Sequence, residues 1–228
     1  MNILRKCGTT GLALLLLLMA SCASFPTRVE PRWQGPALQD QAEGAVSVAF
    51  IIRHIRQTQG LDAIPKVVGK QQNVTGFDEI LGDALPELRH LGAYATFTEE
   101  AGDVNRPERR AIRDSLMAGH DITIRLSLES SQRFAPVFLG GLLSTCTLSL
   151  APVPYVRRYH VKAEVLDYRR RLLATTERSA ELHTWVQALL MTAYPFYPPE
   201  RGREEIYLNF LHDVFRELEE RGLLRAAT

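Results

Sequence analysis

Residues 121–130 read DITIRLSLES. Ile122, Ile124, Leu126 and Leu128 alternate with Thr123, Arg125, Ser127 and Glu129. In an extended chain the first set lies on one face and the second on the other, which is the pattern of a half-buried strand. Upstream, AVSVAFII (45–52) is apolar or β-branched almost throughout and predicts a strand buried on both faces. KVVGKQQNV (66–74) has room for a short strand, and AYATFTE (93–99) for another. Downstream, 159–167 and 172–180 form a hairpin around Arg169-Arg170-Arg171.

Between these strands the period changes. In residues 77–91 Ile80, Leu81, Ala84, Leu85, Leu88 and Leu91 recur at helical spacing, and Pro86 is placed to kink or divide the helix. Asp78 and Glu79 suit its positive start, and Gly92 its end. Pro107 opens a second helix, with Ile112, Leu116 and Met117 as its expected apolar face. The last runs over 204–221, with Ile206, Phe210, Val214 and Leu218 every fourth residue, Leu211 alongside and Gly222 as cap. Strands alternating with amphipathic helices predict an α/β (α+β) sandwich, a mixed sheet with helices packed on it.

The chain opens MNILRKCGTTGLALLLLLMASCAS: two cations, the apolar run Leu12–Met19, then small residues. That is the layout of a secretory signal peptide, too short and wrongly flanked for a permanent span. Met19-Ala20-Ser21-Cys22 resembles the bacterial lipobox. The resemblance implies thioether diacylation of Cys22, cleavage before it and anchorage by two or three acyl chains, where one would bind only marginally. Ala23 is not the aspartate that retains such proteins at the inner membrane, so the resemblance implies the outer membrane, with the body facing the periplasm. The organisation expected is a signal peptide at 1–21, a lipidated tether at 22–44, rich in proline and glycine, and a single domain at 45–228.

Cleavage leaves 207 residues (228 − 21), enough for one comfortable domain. The leader takes Arg5 and Lys6, so 25 Lys+Arg (27 − 2) face 26 Asp+Glu, a balance that does not point to a nucleic-acid partner. With Cys7 removed and Cys22 acylated, Cys146 is the remaining thiol, and its apolar surroundings predict burial. His54, His90, His120, His160, His183 and His212 fall in no metal-ligand spacing, and no nucleophile elbow or phosphate loop is present. The expectation is a protein that is not an enzyme and carries no cofactor. Arg157-Arg158 and Arg169-Arg170-Arg171 suit phospholipid head groups or an anionic polymer, but read first as a strand flank and a solvated hairpin tip.

Two long segments carry no charge, 134–156 and 182–199. Prolines break both below the ~20 residues of a spanning helix, and neither alternates as a barrel strand does. They are read first as buried or in contact with a protein partner, a homo-oligomer included, second as contacts at a membrane interface and third as barrel hairpins, the contacts running through Leu139, Leu142, Leu143, Trp185, Leu189, Leu190, Tyr194 and Phe196. The order of elements, with the lipobox, resembles bacterial envelope lipoproteins whose fold is related to the amino-terminal domain of the Tol-system β-propeller protein, among them the curli-secretion-channel lipoproteins, lipoprotein activators of penicillin-binding proteins and exopolysaccharide-export lipoproteins. GGLLSTCTLSLAPVPY (140–155), YHVKAEVLDY (159–168) and HTWVQALLMTAYPF (183–196) resemble a family of proteobacterial lipoproteins without an assigned activity. The function expected is a lipid-anchored binding or assembly module. The alternative is an oligomeric export or pore component whose apolar segments enter the membrane. A third reading, an enzyme or lipid carrier, needs an internal cavity.

Overall fold

A computed structural model describes residues 22–28, 46–59, 65–67, 74, 76–147, 151–186 and 199–224. Seven strands form one mixed sheet: β1 (Cys22–Arg28), β2 (Val46–Gln59), β3 (Pro65–Val67), β4 (Leu91–Glu99), β5 (Ile122–Arg133), β6 (Val153–Asp167) and β7 (Leu172–Val186). The order is β1-β7-β6-β5-β2-β3, with β4 also on β2. β2 runs parallel to β4 and β5, and the other pairs are antiparallel. The helices are α1 (Phe77–Ala84), α2 (Pro107–Ala118), α3 (Phe134–Cys146) and α4 (Pro199–Glu220). The α/β class expected from the periodicity is the class observed.

The patterns explain the layers. Val48 to Ile52 are buried on both sides of β2, as an unbroken apolar run requires. Ile122, Ile124, Leu126 and Leu128 of β5 face α1 and α4 together with Val161, Ala163 and Val165 of β6. α4 presses Ile206, Phe210, Leu211, Val214, Phe215 and Leu218 into that face. It ends in a Schellman turn: Gly222 is left-handed at φ 66° and Leu223 N–H donates to the Leu218 carbonyl. On the opposite face α2 covers only a small cluster, Ile51, Phe97 and Met117.

Several expectations change. Pro86 does divide its helix: α1 stops at Ala84, a 3-10 turn covers Leu85–Glu87, and Leu91 opens β4. Ile112 does not join the face of α2 that touches the sheet. It is exposed, because the helix meets the sheet only along the line of Leu116 and Met117. α4 starts at Pro199, five residues early, since proline is tolerated in a first turn. The tether read for 22–44 includes a strand: 22–28 pairs with β7, Cys22 opposite Val186, on the edge that β6 leaves open. Residues 29–45 lie outside those described.

The hairpin tip is built by one carboxylate. Asp167 accepts hydrogen bonds from the backbone N–H groups of Arg169 and Arg171 and from the Arg171 guanidinium. Arg170 takes a left-handed φ of 62°. The triple-arginine run is thus held by its own turn.

Candidate functional site

Two places stand out, both at the end of the sheet where β5 and β6 run past the core. The first is α3. It is uncharged over 13 residues, and among its residues with described burial only Gly140 is buried. An added Cβ at Gly140 would lie 2.6 Å from Val153 Cγ1 and 3.4 Å from the Tyr155 hydroxyl, so the helix rests on β6 at this point with no room for a side chain. Its outer strip is apolar: Phe134 and Phe138 stack at 5.7 Å, and Leu139, Leu142 and Leu143 continue the strip, Leu139 63% exposed. Cys146, expected to be buried, is exposed, six residues beyond Gly140 and on a different face of the helix. We expect Gly140→Val to speed amide hydrogen exchange across α3, a local loss of about 1–3 kcal/mol from overpacking. The melting of the core should be unchanged, which thermal denaturation of the same samples checks.

The row that ends the sheet reads Val153, Val186, Cys22 across β6, β7 and β1. With strands about 4.8 Å apart, the Cys22 backbone lies roughly 10 Å from the strand on which α3 rests. The structure therefore brings Leu139, Leu142 and Leu143 to the same end as Cys22. Trp185 is half-buried in β7, opposite Ala23 and Pro154. The apolar stretch read from 182 begins inside β7, and Leu182 is core, since alternation turns it toward α4. Leu189, Leu190, Tyr194 and Phe196 lie outside the described residues. α3 is about 20 Å long at 1.5 Å per residue, short of the ~30 Å of a bilayer core. Among the described residues no helix is long and apolar enough to cross a membrane.

The second place is a recess under the first turns of α4, which the sequence reading missed. On three adjacent strands the core face turns polar at the same level. His54 and Arg56 follow Phe50 and Ile52 on β2, Ser130 and Gln132 follow Leu128 on β5, and Arg157 and Tyr159 precede Val161 on β6. Pairing sets Arg56 beside Ser130 beside Tyr159, with Gln132 beside Arg157 in the next row. The inner recess holds about 100 Å3 between His54, Arg56, Arg157, Tyr159, Arg203 and Tyr207. An outer one of about 290 Å3 shares Arg157, Tyr159 and Arg203 and reaches Tyr155, Leu182 and Val186. Glu200 also lines the outer part.

Its polar atoms are under-used. The Tyr159 hydroxyl, His54 Nδ1 and Arg203 Nε are buried and make no hydrogen bond among the described residues. Tyr159 is 1% exposed and His54 6%. Leaving a buried polar group unpaired costs about 1–3 kcal/mol, so three around one recess mark it out from ordinary core. The rings are fixed by edge contacts, Tyr159 on Tyr207 at 5.6 Å and His54 on Phe77 at 5.1 Å. Arg157 reaches the Gln132 side-chain oxygen at 3.3 Å, whereas neighbouring Arg158 points to the other face and pairs with Glu181 at 2.8 Å. Burial pushes the His54 imidazole down to about 4, opposed by the Asp78 charge. Burial likewise pushes the Tyr207 phenol up; the nearby Tyr159 adds to this, and the Arg203 and Arg157 charges oppose it.

Among the described residues no three His, Cys, Asp or Glu side chains gather as a metal set. No protein-family model matches the chain, and no curated protein matches it.

Proposed function

We propose that this chain is a lipid-anchored cell-envelope protein that acts as a non-enzymatic binding module, held on an outer membrane by acyl chains on Cys22 and by α3 lying in the bilayer interface. The observation that carries this reading is the meeting, at one end of the sheet, of the exposed apolar strip of α3 with the strand that begins at Cys22. A helix of this length and composition fits an interfacial position. Moving Phe134, Phe138, Leu139, Leu142 and Leu143 out of water contributes on the order of 1 kcal/mol each, since they are only about half exposed. The strip adds to what the acyl chains supply and fixes which end of the body faces the lipid. A protein partner would use the same strip and is the second reading, because apolar aromatic-rich patches also form protein interfaces.

The test labels the protein with radioactive palmitate in a diderm host and fractionates the membranes after a carbonate wash. Label should enter the natural chain and be absent from Cys22→Ser carried on an ordinary cleavable signal. The unacylated protein should still bind pure phospholipid vesicles and should lose that binding when Leu139, Leu142 and Leu143 are replaced together by glutamine. An unlabelled natural chain would sink the anchor. Equal vesicle binding with and without the three leucines would sink the role of α3, and retention in cell membranes without vesicle binding would move a protein partner ahead.

A further inference from the structure

We propose that the recess between β2, β5, β6 and α4 is a binding site for a phosphate group, gripped by Arg157 and Arg203 with the Tyr159 hydroxyl at its floor. Four observations carry it. Arginines from two different elements, a strand and a helix, line one concavity, and guanidinium groups match phosphate oxygens in a bidentate way. Tyr159 and His54 are each more than nine-tenths buried, border the recess and have an atom without a partner among the described residues. The inner recess of about 100 Å3 has room for a compact oxyanion and adjoins the outer recess of about 290 Å3 through Arg157, Tyr159 and Arg203. The recess also lies at the carboxyl ends of the parallel strands β2 and β5, beneath the first turns of a 22-residue helix, where the backbone dipole favours negative charge.

The charges facing the recess are unequal. Arg56, Arg157 and Arg203 line it, against Glu200 on the outer rim and Asp78 acting on His54. Arg56 has interactions of its own and Arg157 holds Gln132, so Arg203 is the group whose buried nitrogen most needs a ligand.

Phosphate can arrive free or at the head of a lipid. The outer recess is lined by Tyr155, Leu182 and Val186, and Val186 pairs with Cys22 in the row beside α3. Along β6 the Arg157 row is four residues from that end, about 13 Å, so a chain attached to the phosphate would leave toward the apolar end of the protein. The site rests on the recess alone and does not require Cys22 to be acylated.

The experiment uses the full chain purified in detergent. One arm titrates inorganic phosphate and follows the melting temperature and binding heat. The other measures binding to phosphatidylcholine vesicles with and without phosphatidic acid. Because α3 and the acyl chains bind phosphatidylcholine by themselves, binding in the second arm means the gain on adding phosphatidic acid. Binding in either arm is expected, free phosphate showing that the group alone suffices and the phosphatidic acid gain alone showing that a lipid delivers it. In whichever arm binds, Arg157→Gln and Arg203→Gln should each weaken it about tenfold or more, the loss of a charge-assisted contact. Tyr159→Phe, which keeps the ring, should weaken it several-fold. Arg158→Gln removes the same charge from the opposite face of the sheet and should change nothing. Absence of binding in both arms would overturn the proposal, and so would equal losses for Arg157→Gln and Arg158→Gln, which would reduce the effect to net charge.

Discussion

Phe215→Ala is expected to lower the stability of the fold by about 3–5 kcal/mol, the range for deleting a buried ring. Phe215 is fully buried on α4 and meets the ring of Phe50, in the middle of β2, at 5.7 Å. α4 is the main cover of the sheet's core face, and it is held by side chains of this kind. The cavity would open between two rigid elements, a helix pinned at its end by Glu219 on His90 and a strand paired on both edges, so little collapse can refill it. Domains are stable by roughly 5–15 kcal/mol, so the substitution removes a large share. Urea denaturation followed by tryptophan fluorescence and circular dichroism measures it. A loss under 1 kcal/mol would mean that α4 does not pack as described.

Acidification should produce the second large effect. Burial holds His54 neutral, with its pKa pushed down to about 4, while in the unfolded chain it titrates near 6.5. Between these values the unfolded chain takes up a proton that the folded one refuses, so stability falls as the pH drops from ~6.5 toward 4. The fall from 6.5 to about 4, at ~1.4 kcal/mol for each factor of ten in proton affinity, bounds the loss at about 3–4 kcal/mol. Asp78 opposes the shift, and Arg56, Arg157 and Arg203 border the same recess and disfavour a further positive charge. Glu87 contributes with the opposite sign, because burial raises its carboxyl above the usual range against the His212, Arg216 and Arg89 charges. The informative quantity is therefore the difference between the natural protein and His54→Gln in urea unfolding at pH 7, 5.5 and 4.5. The difference should drift steadily in favour of the variant as the pH falls, and parallel curves would show that His54 is not held neutral.

Much of the architecture can be read from residue order. DITIRLSLES alternates because one side of β5 is core, and the every-fourth-residue apolar pattern of α4 marks the side that meets the sheet. The misreadings have specific physical causes. CASFPTR has no alternation and contains Pro26, so nothing local marks it as a strand; only the free edge of β7 does. LHTWV looks like the start of an uncharged segment, yet it ends β7, because the strand is 15 residues long and its apolar end passes beyond the charged part of the hairpin. The uncharged run at 134–156 divides between α3 and the start of β6, a break that follows the backbone and that composition does not mark. The recess does have a signal legible in the sequence. On β2 and β6 the period of two places His54, Arg56, Arg157 and Tyr159 in line with the core residues Ile52 and Val161. Charged residues continuing a core face on neighbouring strands mark either a solvated end or a ligand site, and the helix that closes over them is visible only in three dimensions.

β2 also has a bearing on how the molecule assembles. It is paired along both edges, and its parallel partners come late in the chain: Val48 stands opposite Tyr94 on one side and Ile122 on the other. Parallel neighbours cannot be joined by a tight turn, so the most apolar segment of the body must wait for distant partners before it is satisfied. Among the described residues only the short Pro65–Val67 strand is near in sequence, and it meets just the last residues of β2. Such non-local pairing should make the chain fold more slowly than a helical bundle of its size. Until β5 is complete at residue 133, the apolar stretch of β2 lacks one of its two parallel partners and stays open to unwanted contacts.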